Sequence, residues 1–232
     1  MTALRAELEK LADEKYRAFS AKLLPKSETL IGVRIPELRK LAKRAAAENW
    51  DLSSDGTFEE TMVAALALAR AEMPLGGKLA AVEEFLPRIR NWSVCDSFCA
   101  ELKIAEPERE HYFALVEKYI GSADEFLCRF AYAMLLGHFT DRRYLDFALS
   151  NFENFDNPHY YAKTACAWCA ATYLAKFPRE LADFLLSGKM RDKKALQMAK
   201  QKVRDSFRTP PEIKAQFAEK RGARKPAKRG LG

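Results

Sequence analysis

Residues 124–187 decide the fold. They read DEFLCRFAYAMLLG (124–137), DRRYLDFALSNF (141–152), HYYAKTACAWCAATYLAK (159–176) and PRELADFLLS (178–187). Apolar residues recur at helical spacing in each segment, and each stops at a breaker: Gly137, Asn157-Pro158, Pro178 or Gly188. The Val-Ile-Thr alternation of a strand is absent.

The same pattern extends in both directions. Leu4, Leu8, Leu11, Phe19 and Leu23 mark one face of a single helix that stops at Pro25. Pro36 suits the first turn of a helix carrying Leu38, Leu41, Ala42 and Ala45. Thr57-Phe58-Glu59-Glu60 is a capping-box pattern ahead of the apolar run 62–71. Further helices are predicted at about 77–86, 93–104, 108–120, 190–207 and 211–220. Gly76-Gly77, Gly121-Ser122 and Pro210-Pro211 serve as turns between them. About a dozen short helices in pairs of roughly 35–40 residues point to an all-α helical-repeat solenoid. A compact non-repeat α domain is the alternative.

Composition bounds the function classes. The chain has 232 residues, 48% hydrophobic and 31% charged, enough for a buried core. No run of 18 apolar residues marks a membrane span. The charged, amphipathic start is unlike a signal peptide, so the expected compartment is cytoplasmic. Five cysteines in apolar surroundings (Cys95, Cys99, Cys128, Cys166 and Cys169) then read as reduced core thiols. Neither they nor His111, His138 and His159 have metal-ligand spacing, so no metal is expected. No P-loop, GxGxxG or GxSxG pattern is present.

Charge is unevenly placed. Residues 1–188 carry a net −4, residues 189–208 a net +6, residues 209–219 a net −1, and the tail KRGARKPAKRGLG (220–232) a net +6. A basic C-terminal quarter on a slightly acidic body suits a polyanion such as nucleic acid, or is solvation alone. The tail has too few apolar residues to favour a membrane surface. The expected layout is one repeat domain over 1–219, a disordered basic tail over 220–232, and a monomer.

Five blocks carry a resemblance. They are Gly32-Val33-Arg34-Ile35-Pro36-Glu37-Leu38-Arg39-Lys40-Leu41-Ala42-Lys43, Asn91-Trp92-Ser93-Val94-Cys95-Asp96-Ser97-Phe98, Phe126-Leu127-Cys128-Arg129-Phe130-Ala131, Tyr160-Tyr161-Ala162-Lys163 running to Ala167-Trp168, and Ala195-Leu196-Gln197 running to Arg208. In this order they resemble the HEAT-like repeat DNA alkylation repair proteins, typified by the AlkD DNA glycosylases. The resemblance implies a solenoid whose concave face holds double-stranded DNA. It implies excision of cationic N3- and N7-alkylated bases with no metal or nucleotide cofactor. Matched to the family motif, Trp92 is an aromatic wall, Asp96 the catalytic carboxylate, Arg129 a backbone contact near the lesion, and Trp168 the further wall.

The residues themselves leave alternatives. Trp92 and Asp96, four apart on a helix, point nearly the same way. The indole face attracts a cationic base, and the carboxylate stabilises positive charge growing on the sugar. Equally, such a pair places a tryptophan in a core and an aspartate near a helix start. Arg129 lies among apolar neighbours and must be paired, with a phosphate or in a salt bridge between helices. Trp168, taken by itself, reads as a buried core residue. Lys163 precedes it by five residues, one off the family pattern, and Cys169-Ala170-Ala171 stand where an arginine is expected. Lys193, Gln197, Lys200, Arg204 and Arg208 form one polar stripe at spacings of 4, 3, 4 and 4, suited to tracking phosphates or to facing solvent. Arg34, Arg39 and Lys43 make a smaller patch of the same kind. Only six residues join Pro25 to Gly32, where the family's active members have a further short helix. Three functions follow: a glycosylase, a weak or inactive paralogue that binds duplex or branched DNA, and a protein-binding scaffold.

Overall fold

The computed structural model describes residues 2–218. Among the described residues there are thirteen α-helices, three short 3₁₀ turns and no strand. The chain opens with α1 (Ala3–Lys10), α2 (Glu14–Ser20) and α3 (Ile35–Ala47). Next come α4 (Phe58–Arg70), α5 (Leu75–Phe85), α6 (Trp92–Glu101), α7 (Arg109–Tyr119) and α8 (Glu125–His138). The last are α9 (Leu145–Glu153), α10 (Tyr160–Lys176), α11 (Pro178–Ser187), α12 (Lys193–Asp205) and α13 (Pro211–Gln216).

Two layers result. Helices α4, α6, α8, α10 and α12 form an inner row in which each packs on the next. Of the intervening helices, α5 packs on α4, α7 on α8, and α9 and α11 on α10. Each inner helix begins 33 to 35 residues after the last, at Phe58, Trp92, Glu125, Tyr160 and Lys193. Contacts between neighbouring units at a fixed step define a helical repeat. The step is slightly shorter than the sequence suggests, because the links are tight.

Local chemistry starts these helices where they start. Thr57, Asn91, Asp124 and Asp192 each sit at the N-cap of an inner helix, and their side chains accept backbone N–H groups of its first turn. Helix α10 has no such cap. Instead the Glu125 carboxylate of α8 accepts the Tyr161 N–H at 2.6 Å. At the far end of α4, the buried Lys78 amine donates to the carbonyls of Leu68, Ala69 and Ala71, where the helix runs out of backbone donors. Helices α4 and α8 are apolar on most sides and run through the middle of one continuous core.

The first helix and two glycine turns need correction. The first helix is two. Asp13 caps α2 by accepting the Tyr16 N–H, while its own N–H donates to Gly32 O, so the chain turns there. Only Leu4 and Leu8 of that predicted face are buried; Leu11, Phe19 and Leu23 are exposed. Gly76-Gly77 are not a turn but lie in the first turn of α5, and Gly137 lies inside α8. The expected basic tail, 220–232, lies outside the described residues.

The link to α3 is held from beneath. Glu59 of α4 is buried and accepts the N–H groups of Ile31, Gly32 and Val33. Gly32 has φ +101°, and a Cβ there would lie 2.6 Å from the Asp13 carbonyl oxygen. Only glycine fits that position.

Candidate nucleic-acid and catalytic site

Asp96, Arg129 and Thr164 are each the fifth residue of an inner helix, in α6, α8 and α10. Stacking the repeats therefore brings them together. Arg129 forks onto Asp96, with Nε donating to Oδ1 at 2.9 Å and Nη2 to Oδ2 at 2.7 Å. Its Nη1 donates to Tyr161 O at 2.9 Å and Thr164 Oγ1 at 3.0 Å. Four of the five guanidinium N–H groups are thus used inside the protein. Arg129 is only 5% exposed, whereas Asp96 keeps an open edge. The salt-bridge alternative describes Arg129 in this structure. The bidentate pair fixes the carboxylate's plane and leaves it facing outward.

Trp92 begins α6, one turn before Asp96, and is half-buried. Its indole N–H donates to Leu23 O at 3.1 Å. The short link thus runs over the edge of Trp92 and is tied down again where Asn91 Nδ2 donates to Glu28. Phe19 and Leu23, more than half exposed, lie on this N-terminal side.

Trp168 corrects the core expectation, being 38% exposed. It shares one edge of α10 with Ala171, Thr172 and Ala175, and that edge opens onto a groove beside Lys202, Phe207 and Arg208. The stripe on α12 is likewise not one surface. Lys200 and Arg204 line a different groove with Gln197 and Phe217, where Arg204 also donates to the Phe217 carbonyl. Arg208 lines the Trp168 groove, and Lys193 closes the end of α11 by donating to the Gly188 and Met190 carbonyls.

Other basic candidates are held within the chain. Lys163 pairs with Asp192, the cap of α12. Arg34 pairs with Asp13 at 2.9 Å and lies over the Tyr16 ring. Arg39 pairs with Glu101 at 2.9 Å. Lys43 is exposed.

Lys202 was missed in the sequence. It is off the stripe, about 200° around the helix from Lys200. Burial, then the positive charge of Arg129, lowers its pKa below the usual lysine range, while Asp96 and Asp205 act the other way. Lys202 therefore lies within the electrostatic field of the Asp96–Arg129 pair. The signal was in the quoted sequence, but placing it there requires the fold.

The thiols take no part. Burial pushes Cys128 up to about 12 and Cys99, Cys166 and Cys169 well above the usual thiol value. They stay protonated and pack as small apolar residues. Among the described residues no three His, Cys, Asp or Glu side chains converge as a metal-holding group. None of the described helices is long and apolar enough to cross a membrane.

Comparison with known proteins places this arrangement. No curated protein matches the chain. A family model described as DNA alkylation repair enzyme matches residues 4–208, from the first helix to just past α12. That span takes in Trp92, Asp96, Arg129 and Trp168 together with the repeats that position them, and the chain therefore belongs to the DNA alkylation repair enzyme family, with a role in DNA repair.

Proposed function

We propose that the protein is a DNA glycosylase that removes cationic N3- or N7-alkylated bases from duplex DNA. The observation that carries this reading is Asp96. It is an ion-paired carboxylate with a fixed plane and an open edge, one helical turn from a half-buried tryptophan. An alkylated base already bears positive charge, so it leaves as a neutral molecule when the C1′–N bond breaks and takes the bonding electrons. No strong general acid is needed. Positive charge develops on the sugar, and Asp96 stabilises it electrostatically. Water then adds at C1′ and gives its proton to solvent. Trp92 attracts the cationic base through its ring face, worth about 0.5–2 kcal/mol. Arg129 acts through Asp96, holding it oriented by the two-pronged hydrogen bond.

The test is release of methylated bases from N-methylated duplex DNA. Asp96→Asn is expected to slow release about 100-fold or more while the protein still folds. Release unchanged by that variant removes Asp96 from the mechanism.

One observation favours a second reading, a non-catalytic DNA binder. Both Asp96 oxygens already receive hydrogen bonds from Arg129, which draws off part of the negative charge a cationic sugar would use. Arg34 and Arg39 are also paired internally, and the N-terminal link is short. Under this reading the folded wild type releases no base yet binds duplex or branched DNA.

A further inference from the structure

Between α10 and α12 lies a groove of about 430 Å³, lined by Trp168, Thr172, Lys202, Asp205, Phe207 and Arg208 among others. Phe207 is fully exposed, more so than any other large apolar side chain among the described residues. Folding gains nothing by leaving that ring in water, and the Lys214 amine over it is 5.9 Å from the ring centroid. Trp168 also presents part of its ring to the same groove. Beside these rings stand two cations, Lys202 and Arg208, whose side chains form no ion pair among the described residues. The groove's acid, Asp205, accepts from Gln201. Around it, residues 189–208 carry a net +6. Trp168 lies one helical turn after Thr164, the α10 residue whose hydroxyl accepts from Arg129, so the groove adjoins the site described above.

Two unpaired cations beside two exposed rings match one ligand chemistry, a nucleic-acid strand with its phosphates and π-faces. We propose that this groove is a strand-binding subsite, in which Lys202 and Arg208 take backbone phosphate next to the reacting nucleotide and Phe207 and Trp168 stack on the adjoining base or sugar. The proposal rests on the DNA reading above and adds to it the residues that hold the flanking strand. Lys202 and Phe207 belong to α12 and its end, not to the Trp92–Asp96 helix. They position the strand and do not touch the reacting bond.

Fluorescence anisotropy of a labelled duplex carrying a stable abasic analogue tests this, over a salt series. Wild type is compared with Lys202→Met, Lys202→Arg and Phe207→Ala, with a thermal melt for each. Lys202→Met is expected to weaken binding and reduce the slope of log affinity against log salt by about 0.9. Lys202→Arg restores the slope. Phe207→Ala weakens binding about tenfold with the slope unchanged. Should Lys202→Met fail to fold, Phe207→Ala decides, because its fully exposed ring supports no packing. Folded variants that bind like wild type overturn the subsite and leave the wider DNA reading standing. A wild type with no salt-sensitive binding to any duplex overturns both.

Discussion

Arg129 shows what one residue does here. Its guanidinium is buried and carries four internal hydrogen bonds across three repeats. Arg129→Ala leaves Asp96 without its counter-charge and the Tyr161 carbonyl without this donor. Breaking a buried pair from one side costs about 3–5 kcal/mol, and the open edge of Asp96 puts the expected loss near the lower figure. Denaturant unfolding measures it. A loss below about 1 kcal/mol would mean that water replaces the guanidinium. Lys at this position cannot make the fork, so Arg129→Lys is expected to recover only part of the loss. The Trp92–Asp96 pair was legible in the sequence because both residues lie within one turn of one helix. Arg129's need for a partner was legible too, since a cation among apolar neighbours must be paired. Its identity was not, because Asp96 lies 33 residues away and meets it only when the repeats stack. The same limit hid Lys202 and the exposure of Trp168.

At the scale of the helix, starts were easier to read than faces. The Thr57 cap of α4 was legible in its capping box, and Asn91, Asp124 and Asp192 cap α6, α8 and α12 by the same local chemistry, each accepting backbone N–H groups. The split between α1 and α2 was missed because Asp13 turns the chain by using Gly32, which is distant in sequence. Asp192 does two jobs, capping α12 and pairing with Lys163. Burial works to raise its pKa, but the Lys163 ammonium and the Ala195 N–H outweigh it and hold the carboxyl below the usual 3.8. A carboxyl depressed in the folded state adds stability above its unfolded pKa and loses it as pH falls through the folded value. Asn caps helices about as well as Asp, so Asp192→Asn removes the charge and keeps the cap. That variant is expected to melt below wild type at pH 7, with the gap closing as pH falls below about 4. A gap of constant size across that range would show that the Lys163 pair contributes nothing through charge.

The whole molecule joins a rigid repeat body to an uneven charge field. The all-α repeat class was legible in full, because helical periodicity and breakers recur along the chain and local signals suffice. The site was legible only where its residues share a helix. Charge belongs to the whole chain, and its reading needs no fold: residues 1–188 are net −4, while 189–208 and 220–232 are each net +6. Proposed contacts at Lys202 and Arg208 are short-range and fix register, whereas under the proposed function the six basic residues after Glu219 would add long-range attraction. These two terms separate by experiment. Deleting residues 220–232 is expected to weaken duplex binding and lower the salt slope by at most about 5, the value if all six charges meet phosphate. The rate of base release at saturating enzyme is expected to stay unchanged, since Asp96 and its supports lie in the body. Loss of all salt-dependent binding on this deletion would put the entire DNA contact in the tail. Loss of the saturated rate would mean that the tail takes part in the chemistry, and the reaction could not then be assigned to the Asp96 site alone.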